Sequence, residues 1–291
     1  YRFRNFPQRC YDIRTLDRIH TGFRSCDSLR WLMLGLGNSL SRGGVLSGFE
    51  NTYSLDFDGT DDYVEIEHSN DLSFGDGSND SAFSISAWVK MDDATGFRVF
   101  SKDGGVVSSK REYEFMTETS DDYLYMYLRD EDPGKWAYVK TNATITSHEG
   151  SWAHLVTTYD GGGGATAADG LAIYINGSSV AVTATNNAAY VAMENDSGKV
   201  YIGRKAGYYA NGKFDEVAVW DVELDADAVS AIYNSGTPIA LDADLGNYDN
   251  SSSLQAWWRF EEGSGTSATD SSTNSNTGTL TNGPAYSTDA P

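Results

Sequence analysis

Short stretches in which apolar and polar side chains alternate recur along the chain. Alternation with a period of two residues is typical of a half-buried β-strand. The clearest of these stretches lie at 54–66, 83–90, 121–129, 171–180 and 212–220. Within one of them stands Asn176-Gly177, a pair that predicts a two-residue hairpin turn with both residues at positive φ. The pattern therefore predicts an all-β protein built from many short strands.

After the last of these stretches the apolar spacing changes from two residues to three and four. Val229, Ile232 and Tyr233 fall at i, i+3 and i+4, which places them on one face of a helix. Asp225 is a suitable N-cap because its carboxylate can accept a backbone N–H, and Gly236 supplies a left-handed residue that ends a helix. We therefore expect one short helix near 225–234.

The stretch at 121–129 carries large side chains on both of its faces. Leucine and methionine occupy one face, and the other face carries Tyr123, Tyr125 and Tyr127. Tyrosine rings that are exposed on a sheet can stack on sugars, because they offer a large amphipathic contact area. The alternative is that the rings cover the core or a loop and bind nothing. The three tyrosines are therefore candidate glycan-binding residues, with packing as the alternative.

Composition agrees with a folded, acidic β-protein. The 291 residues include 30 Gly, 18 Tyr and 7 Trp but only 5 Pro, which suits short strands joined by glycine-rich turns. The formal net charge is −21, and an acidic body repels nucleic acid and anionic membranes. No apolar run in the sequence reaches the length of a membrane span.

The first 48 residues differ from the rest, because they combine arginine with apolar, glycine-rich sequence. This arm has no clean helical or strand period, so we expect an extended arm that docks on other subunits of an assembly. The residues predicted to dock are Arg2, Arg4, Arg9, Arg14, Arg18, Trp31, Leu32 and Leu34. Nucleic-acid binding by the arm is disfavoured, since no RNA- or DNA-binding module follows it. Cys10 and Cys26 either form one disulfide or remain free thiols.

Six separated blocks resemble one domain family. The segment GKFDEVAVWDVELDADAVSAIYNSG at 212–236 is similar to the closing signature of the laminin-G-like, or concanavalin A-like, jelly-roll domains of the pentraxin-like group. The other blocks follow in the family's usual order at 54–66, 83–90, 152–161, 171–180 and 199–204. The resemblance implies a two-sheet antiparallel jelly-roll sandwich over 49–240. It leaves function open, because this fold carries lectins, enzymes and structural modules alike.

The last fifty residues carry a second resemblance. WWRFEEGSGTSATDSSTNSNTGTLTNGP at 257–284 is similar to a segment that commonly precedes a domain of this family, but here it follows one. Either this segment supplies strands to the same sandwich, or a second copy begins here. We favour strands at 241–291 that complete the same sandwich, because an unfinished sheet edge invites aggregation. The order of segments also resembles that of virion surface proteins of tailed phages.

Members of this family often join their opening and closing strands through a calcium ion. By that resemblance, Asp58 or Asp62 together with Asp215 and Asp270 would be the ligands of a structural calcium ion. Carboxylate oxygens are the hard ligands that calcium prefers. The alternative is that Asp215 caps a turn and accepts backbone N–H groups.

No group of residues predicts catalysis. A jelly-roll glycoside hydrolase needs two carboxylates close together, yet the acidic run at 223–227 lies where the helix cap is expected. Glu112 and Glu114 share one face of a strand but lack a third carboxylate. His154 lies inside a strand, where a surface or packing role is expected, and the four histidines show no zinc-binding spacing.

Together these features predict a non-enzymatic structural or adhesive surface protein. The leading hypothesis is a virion component, either a capsid decoration or a tail-associated protein, located on the virion surface or outside the cell. Its expected partners are other virion or assembly subunits, which the arm contacts, and a glycan on the tyrosine face, so we expect an oligomer or part of a larger assembly. The alternative is an extracellular carbohydrate-binding module or a polysaccharide-active enzyme of the same superfamily.

Overall fold

The computed structural model describes residues 49–103, 110–130 and 134–291. The predictions for the arm at 1–48, including its docking residues and both cysteines, lie outside the described residues. Within them the chain is mostly β-structure in two antiparallel sheets that form a jelly-roll sandwich, as predicted. Among the described residues, no helix has the length and apolar character that crossing a membrane requires.

In the described part of the chain, nineteen strands and one α-helix follow one another. The strands are β1 (Ser54–Asp58), β2 (Tyr63–Ile66), β3 (Phe83–Met91), β4 (Arg98–Asp103), β5 (Tyr113–Thr117), β6 (Leu124–Arg129), β7 (Trp136–Thr141), β8 (Ala153–Tyr159), β9 (Leu171–Ile175), β10 (Ser178–Ser179), β11 (Val182–Thr185), β12 (Lys199–Ile202), β13 (Arg204–Lys205), β14 (Tyr208–Tyr209), β15 (Asn211–Trp220), β16 (Leu254–Trp258), β17 (Ser267–Ala268), β18 (Gly278–Thr281) and β19 (Ala285–Ser287). The helix α1 is Ala226–Tyr233, and single 3-10 turns lie at Asn70–Leu72, Thr146–His148, Gly164–Gly170, Asn234–Gly236 and Ser251–Ser253.

The two sheets divide these strands between them. One sheet has eight strands in the order β10-β9-β8-β3-β15-β1-β19, with β16 also pairing β15. The other has nine strands in the order β11-β7-β6-β5-β4-β12-β2-β18-β17, and β13 and β14 form a separate hairpin. The turn at 59–62 joins β1 to β2, which lie in different sheets. The opening motif therefore crosses from one layer to the other instead of forming a hairpin.

The segment after residue 253 contributes strands to both sheets. β16 pairs with β15, so that Trp258 lies opposite Val217, while β18 pairs with β2 and β19 with β1. Trp258 is fully buried in the core between the sheets, and its Nε1 donates to the Asn276 carbonyl at 2.8 Å. The sandwich is therefore built from both the start and the end of the described chain.

The predicted helix and hairpin are confirmed, with one correction. Asp225 caps α1 by accepting the Ala228 N–H at 2.8 Å, and Asn176 and Gly177 have φ of 51° and 72° between β9 and β10. Helix α1 spans Ala226–Tyr233, within one residue of the predicted bounds, but Asn234 adopts the left-handed conformation that ends it, at φ 43°. Asparagine tolerates this conformation, so Gly236 is not the residue that stops the helix.

Candidate functional site

The outer face of the nine-stranded sheet carries an unusual density of aromatic and charged side chains. The even-numbered residues of β6 lie in the core between the sheets, so its odd-numbered residues point outward. The antiparallel register places Tyr127 between Glu114 on β5 and Tyr138 on β7. We call this surface the aromatic face, and it comprises Tyr123, Tyr125, Tyr127, Trp136, Tyr138 and Lys140, with Arg129 at the end of β6.

Tyr125 and Tyr127 form the buried floor of the aromatic face. Their rings stack at 5.5 Å with an interplanar angle of 11°, and only 6% and 9% of their surface remain exposed. The Tyr125 hydroxyl donates to Asp121 and the Tyr127 hydroxyl to Glu118, each at 3.0 Å. Burial and these carboxylates raise the pKa of both hydroxyls, which therefore remain donors. These two predicted glycan-binding residues mainly support the surface.

The half-buried rings of the aromatic face are those of Tyr123, Trp136 and Tyr138. Tyr138 packs 4.8 Å from the Tyr127 ring, and Trp136 packs 5.3 Å from Tyr138. These contacts hold the partly exposed rings in one arrangement above the buried pair. Trp136 and Tyr138 were not among the predicted glycan-binding residues, although WAYVKT at 136–141 alternates in the same way as β6.

A fully buried carboxylate, Glu114, lies beside the aromatic face and is surrounded by cations. Its Oε2 accepts hydrogen bonds from Arg129 Nη2 at 2.6 Å and Arg129 Nε at 3.1 Å. Lys205 Nζ lies 3.3 Å from the same oxygen, and Arg111 Nε lies 3.9 Å from Oε1. Burial alone would raise the pKa of Glu114, but these cations lower it below its usual value. Glu114 is therefore ionised and held in place.

Arg98 adds another cation to this region. The side chain is 2% exposed, its Nη1 donates to the Thr117 carbonyl at 2.5 Å, and its guanidinium lies 5.1 Å from the centre of the Tyr208 ring. Burial lowers the pKa of Arg98. The β13–β14 hairpin, which carries Lys205 and Tyr208, thus covers this part of the sheet with one cation and one ring.

Glu112 has partners of its own, which separate it from Glu114. Glu112 Oε1 lies 2.8 Å from Lys102 Nζ, with both side chains fully buried, and it accepts the Asp196 N–H at 3.1 Å. Burial raises the pKa of Glu112 to about 7. Glu112 and Glu114 share none of these partners, and Asp225 caps α1. Glu112, Glu114 and Asp225, three of the carboxylates weighed for glycoside hydrolysis, therefore each have a structural contact.

The predicted metal ligands Asp58 and Asp62 lie together in the turn after β1. Their carboxylate oxygens and those of Asp61 lie within 4.8 Å of one another. The turn uses these oxygens itself, because Asp58 Oδ1 accepts the Thr60 N–H at 2.8 Å and Asp62 Oδ2 accepts the Asp58 N–H at 3.2 Å. Burial raises the pKa of Asp62. The cluster is accounted for by turn hydrogen bonds.

Asp215 and Asp270 do not join this turn. Asp58 lies opposite Asn211 in the register of β1 and β15, so Asp215 is four positions further along the strand, roughly 13 Å away at the usual rise per residue. Asp270 accepts four hydrogen bonds at 2.7–2.9 Å, from the backbone N–H groups of residues 257, 272 and 276 and from one serine hydroxyl. The structure therefore does not bring the four predicted ligands together.

Asp215 lies instead at a β-bulge among buried acidic groups. The register of β15 against β3 shifts between Asp215 and Ala218, and Glu216 has a φ of 46°. Asp215 is fully buried, and its Oδ2 and both side-chain polar atoms of Asn51 have no partner at hydrogen-bonding geometry, although Asn51 lies close enough to Asp215 to lower its pKa. Glu216 accepts from Trp257 Nε1 at 2.6 Å. Burial first, and then the neighbouring Glu216 charge, raises the pKa of Asp215.

These orphaned atoms fit a calcium ion better than the turn at 58–62 does. An uncompensated carboxylate buried beside an amide oxygen is costly unless a cation or proton neutralises it. Carboxylate and amide oxygens are also the donor types that calcium takes. Of the predicted ligands, Asp215 alone has a buried oxygen without a hydrogen-bond partner.

A cavity of about 410 Å³ opens at the end of the sandwich between the segments 141–148 and 175–181. Ile145, Ile175 and Val180 supply apolar walls, and Asn142 and His148 supply polar ones. Its size and mixed lining suit a small polar molecule. The residues that line this cavity do not include Glu114 or the cations around it. Strand β7 connects the two regions, because it carries Trp136 and Tyr138 of the aromatic face and ends at Thr141 in the cavity wall.

Comparisons with known proteins agree with the architecture. The family model described as the concanavalin A-like lectin/glucanases superfamily matches residues 58–230. A proposed carbohydrate-binding protein from Bacteroides ovatus has a similar structure, with 18% identity, a TM-score of 0.54, and coverage of 84% of this chain and 62% of the other. This chain therefore spans less than two thirds of that protein's length.

Two further structures are similar over a smaller part of this chain. The heptameric SAP-like pentraxin of Limulus polyphemus has 18% identity and a TM-score of 0.42, covering 63% of this chain and 82% of its own. Domain 4 of an extracellular arabinanase from Geobacillus stearothermophilus has 17% identity and a TM-score of 0.44, covering 62% and 76%. No curated protein sequence matches. Since the family model spans more than half of the residues, the chain belongs to the concanavalin A-like lectin/glucanases superfamily of laminin G-type domains.

Proposed function

We propose that this protein is a non-enzymatic glycan-binding surface protein and that its ligand stacks on the aromatic face. The observation that carries the proposal is the pair of half-buried rings, Trp136 and Tyr138, held by packing over the buried floor of Tyr125 and Tyr127. Rings that are already ordered bind with little further loss of side-chain entropy. Their apolar faces suit the C–H groups of a sugar, while neighbouring polar groups suit its hydroxyls.

Two facts support a glycan over other ligand classes. The family includes lectins by its description, and the similar Bacteroides ovatus structure is described as a proposed carbohydrate-binding protein. Glu112, Glu114 and Asp225 are each occupied by structural contacts, which favours binding over hydrolysis. The enzyme alternative would be supported by release of reducing sugar from any bound glycan.

Removing either accessible ring is expected to weaken glycan binding about ten-fold, because one aromatic contact contributes on the order of 1 kcal/mol. The variants Trp136→Ala and Tyr138→Ala would be compared with the full-length protein by calorimetry, using a glycan first identified on an array. Tyr53→Ala is the matched control, since Tyr53 is a half-buried ring that packs on Tyr286 away from the aromatic face.

The outcome also distinguishes the aromatic face from the cavity at 141–148. Thr144→Trp places a large side chain at the wall of that cavity and is expected to leave binding unchanged. If Thr144→Trp abolishes binding while both ring variants bind normally, the ligand lies in the cavity and the aromatic face is not the site.

We extend the proposal to location and assembly: the protein is displayed on a virion, as a capsid decoration or tail-associated component. The basic arm at 1–48, set against an acidic remainder, supports docking on an acidic neighbouring subunit. Light scattering is expected to show that the chain forms an oligomer. Replacing the arginines of the arm with glutamine removes its positive charge and is expected to dissociate the oligomer; the substituted residues are Arg2, Arg4, Arg9, Arg14 and Arg18. A monomeric full chain would contradict this part of the proposal.

We also propose that a calcium ion is held at the bulge of β15 by Asp215 and Asn51. When bound, such an ion would supply the positive charge that the buried carboxylates lack. It would also tie the segment at 49–53 to β15, because Asn51 lies in that segment. The observation that supports this assignment is that Asp215 Oδ2 and the amide atoms of Asn51 are buried without a partner at hydrogen-bonding geometry.

A further inference from the structure

We propose that the glycan bound by the aromatic face is an acidic one, whose carboxylate or sulfate groups are recognised by the cations around Glu114. This inference rests on the proposed glycan-binding function and specifies its ligand class. The residues that carry it are Arg129, Arg111 and Lys205, with Arg98 beneath them. We call these four residues the basic cluster.

The basic cluster holds more positive charge than its buried partner can neutralise. Three of its cations lie within 4 Å of Glu114, and Arg98 is close enough for Glu114 and Glu118 to affect its pKa. Two further carboxylates lie on this face: Glu118 accepts the Tyr127 hydroxyl and Asp121 accepts the Tyr125 hydroxyl. Among the described residues, the cations of this region therefore outnumber its carboxylates, although the chain as a whole has a net charge of −21.

Several donors of the basic cluster are unused. Arg129 directs both Nε and Nη2 to a single oxygen of Glu114, and its Nη1 makes no hydrogen bond within the described part of the chain. The Nε atoms of Arg98 and Arg111 are buried without an acceptor. The Arg129 side chain is 17% exposed, so a ligand can reach its free donor, and a carboxylate or sulfate offers that donor a charge-assisted hydrogen bond. A neutral sugar offers weaker acceptors.

The basic cluster adjoins the accessible rings. Arg129 lies opposite Trp136 in the register of β6 and β7, and its guanidinium carbon is 4.6 Å from the centre of the Tyr127 ring. The side chains of Arg129, Lys205 and Arg111 are 17%, 14% and 26% exposed, so solvent reaches all three. A sugar stacked on Trp136 therefore lies next to cations that can pair with its acidic group.

The negative charge of the rest of the protein does not cancel this local preference. At physiological ionic strength, charges further away than roughly 8 Å are largely screened. A bound acidic group would therefore experience chiefly the cations beside it. Screening also predicts that the preference weakens when salt is added, since the contacting cations are partly exposed.

The test compares three oligosaccharides of equal length with the full-length protein: a galacturonate oligomer, a sulfated galactose oligomer and a neutral galactose oligomer. Calorimetry is expected to show that at least one acidic oligomer binds about ten-fold more tightly than the neutral one at low salt. This difference is expected to shrink at about 0.5 M NaCl, because the screening length then falls to roughly a few ångströms. The two acidic oligomers distinguish carboxylate from sulfate recognition.

Two variants assign the preference to the basic cluster. Arg111→Gln removes the most exposed and most loosely paired cation, so the fold is expected to be retained. The second variant, Lys205→Gln, removes another partly exposed cation while Arg129 stays paired with Glu114. Both are expected to reduce the acidic preference several-fold. Lys199→Gln is the matched control, because Lys199 pairs with Glu65 and Glu67 on another part of the same sheet.

The possible results separate this inference from the function on which it rests. Equal binding of acidic and neutral oligomers would overturn the acidic preference and leave glycan binding intact. An acidic preference that survives in both basic-cluster variants would also overturn it, because the recognising cations would lie elsewhere. Absence of binding to any glycan on an array would overturn both. Thermal melts of each variant show whether the fold is retained.

Discussion

The contribution of His154 to the stability of the folded domain is expected to fall as the pH drops below 6.5. His154 lies on β8 opposite Trp88 and is 1% exposed. Its ring contacts Trp88 at 4.9 Å and Tyr233 of α1 at 6.1 Å. One hydrogen bond joins Nε2 to the Ser86 hydroxyl at 2.7 Å, and Nδ1 has no partner. The site therefore accommodates a neutral imidazole and opposes a charged one.

The direction in which the His154 contribution changes with pH follows from the lowered pKa of its ring. Burial lowers the pKa of His154 from 6.5 to about 3, so the unfolded chain takes up a proton in a range where the folded chain does not. The contribution of His154 is complete above pH 6.5 and is lost progressively as the pH falls towards 3. At about 1.4 kcal/mol per pKa unit, the full loss is on the order of 5 kcal/mol.

Urea denaturation between pH 7 and pH 4 measures this loss. The variant His154→Gln is expected to be less stable than the wild type at pH 7, because it disrupts the packing around the ring, but to show a shallower fall with pH. His148→Gln is the control, since His148 lies in the turn at Thr146–His148 and is only half-buried. Equal pH slopes in the wild type and His154→Gln would show that other groups, such as the many carboxylates, dominate.

Calcium is expected to raise the melting temperature by roughly 5–10 °C at a concentration one hundred times its dissociation constant. Binding to the folded state alone contributes about 2.7 kcal/mol under those conditions, and a domain of this size shifts by roughly 2–4 °C per kcal/mol. The physical reason is the buried Asp215 carboxylate, whose Oδ2 has no hydrogen-bond partner. The measurement is a thermal melt in calcium and in chelator.

Asp215→Asn is expected to change the melting temperature in opposite directions under the two conditions. In chelator the variant removes a buried carboxyl whose ionised form is unfavourable, so it is expected to melt at or above the wild-type temperature. In calcium, Asp215→Asn lacks one of the proposed calcium ligands, so the calcium-dependent rise in melting temperature is expected to disappear. Asp62→Asn is the matched control and is expected to respond to calcium as the wild type does. A calcium response retained in Asp215→Asn but absent in Asp62→Asn would move the ion to the turn at 58–62.

Some elements were predictable because their signals are local. The Asn176-Gly177 turn needs only two residues that tolerate positive φ, and the Asp225 cap needs only a carboxylate before a run of helix-forming residues. The end of α1 was predicted to within one residue, but the residue that ends it was not, because Asn234 and Gly236 both tolerate the left-handed conformation and the choice between them depends on packing. Local sequence likewise does not determine whether β1 and β2 lie in one sheet or in two, since a tight turn permits either a hairpin or a crossing between layers.

The candidate site was predictable only in part, because it depends on residues that are distant in the sequence. The tyrosines of β6 were recognised by their period, yet the accessible rings, Trp136 and Tyr138, come from the neighbouring strand. The cations around Glu114 come from β6, from the residue Arg111 before β5 and from the β13–β14 hairpin. No spacing in the sequence connects these segments, and their meeting depends on sheet order.

The alternation of apolar side chains by itself determined that the chain forms strands in two layers, because a strand with one apolar face must bury that face. It also determined which side of β6 carries tyrosine. Only the tertiary structure decided that two of those tyrosines are covered, that Asp215 lies far from Asp58, and that a basic cluster adjoins the rings of an acidic protein. Periodicity reports the direction in which a side chain points, whereas burial and charge depend on what the folded chain places opposite it.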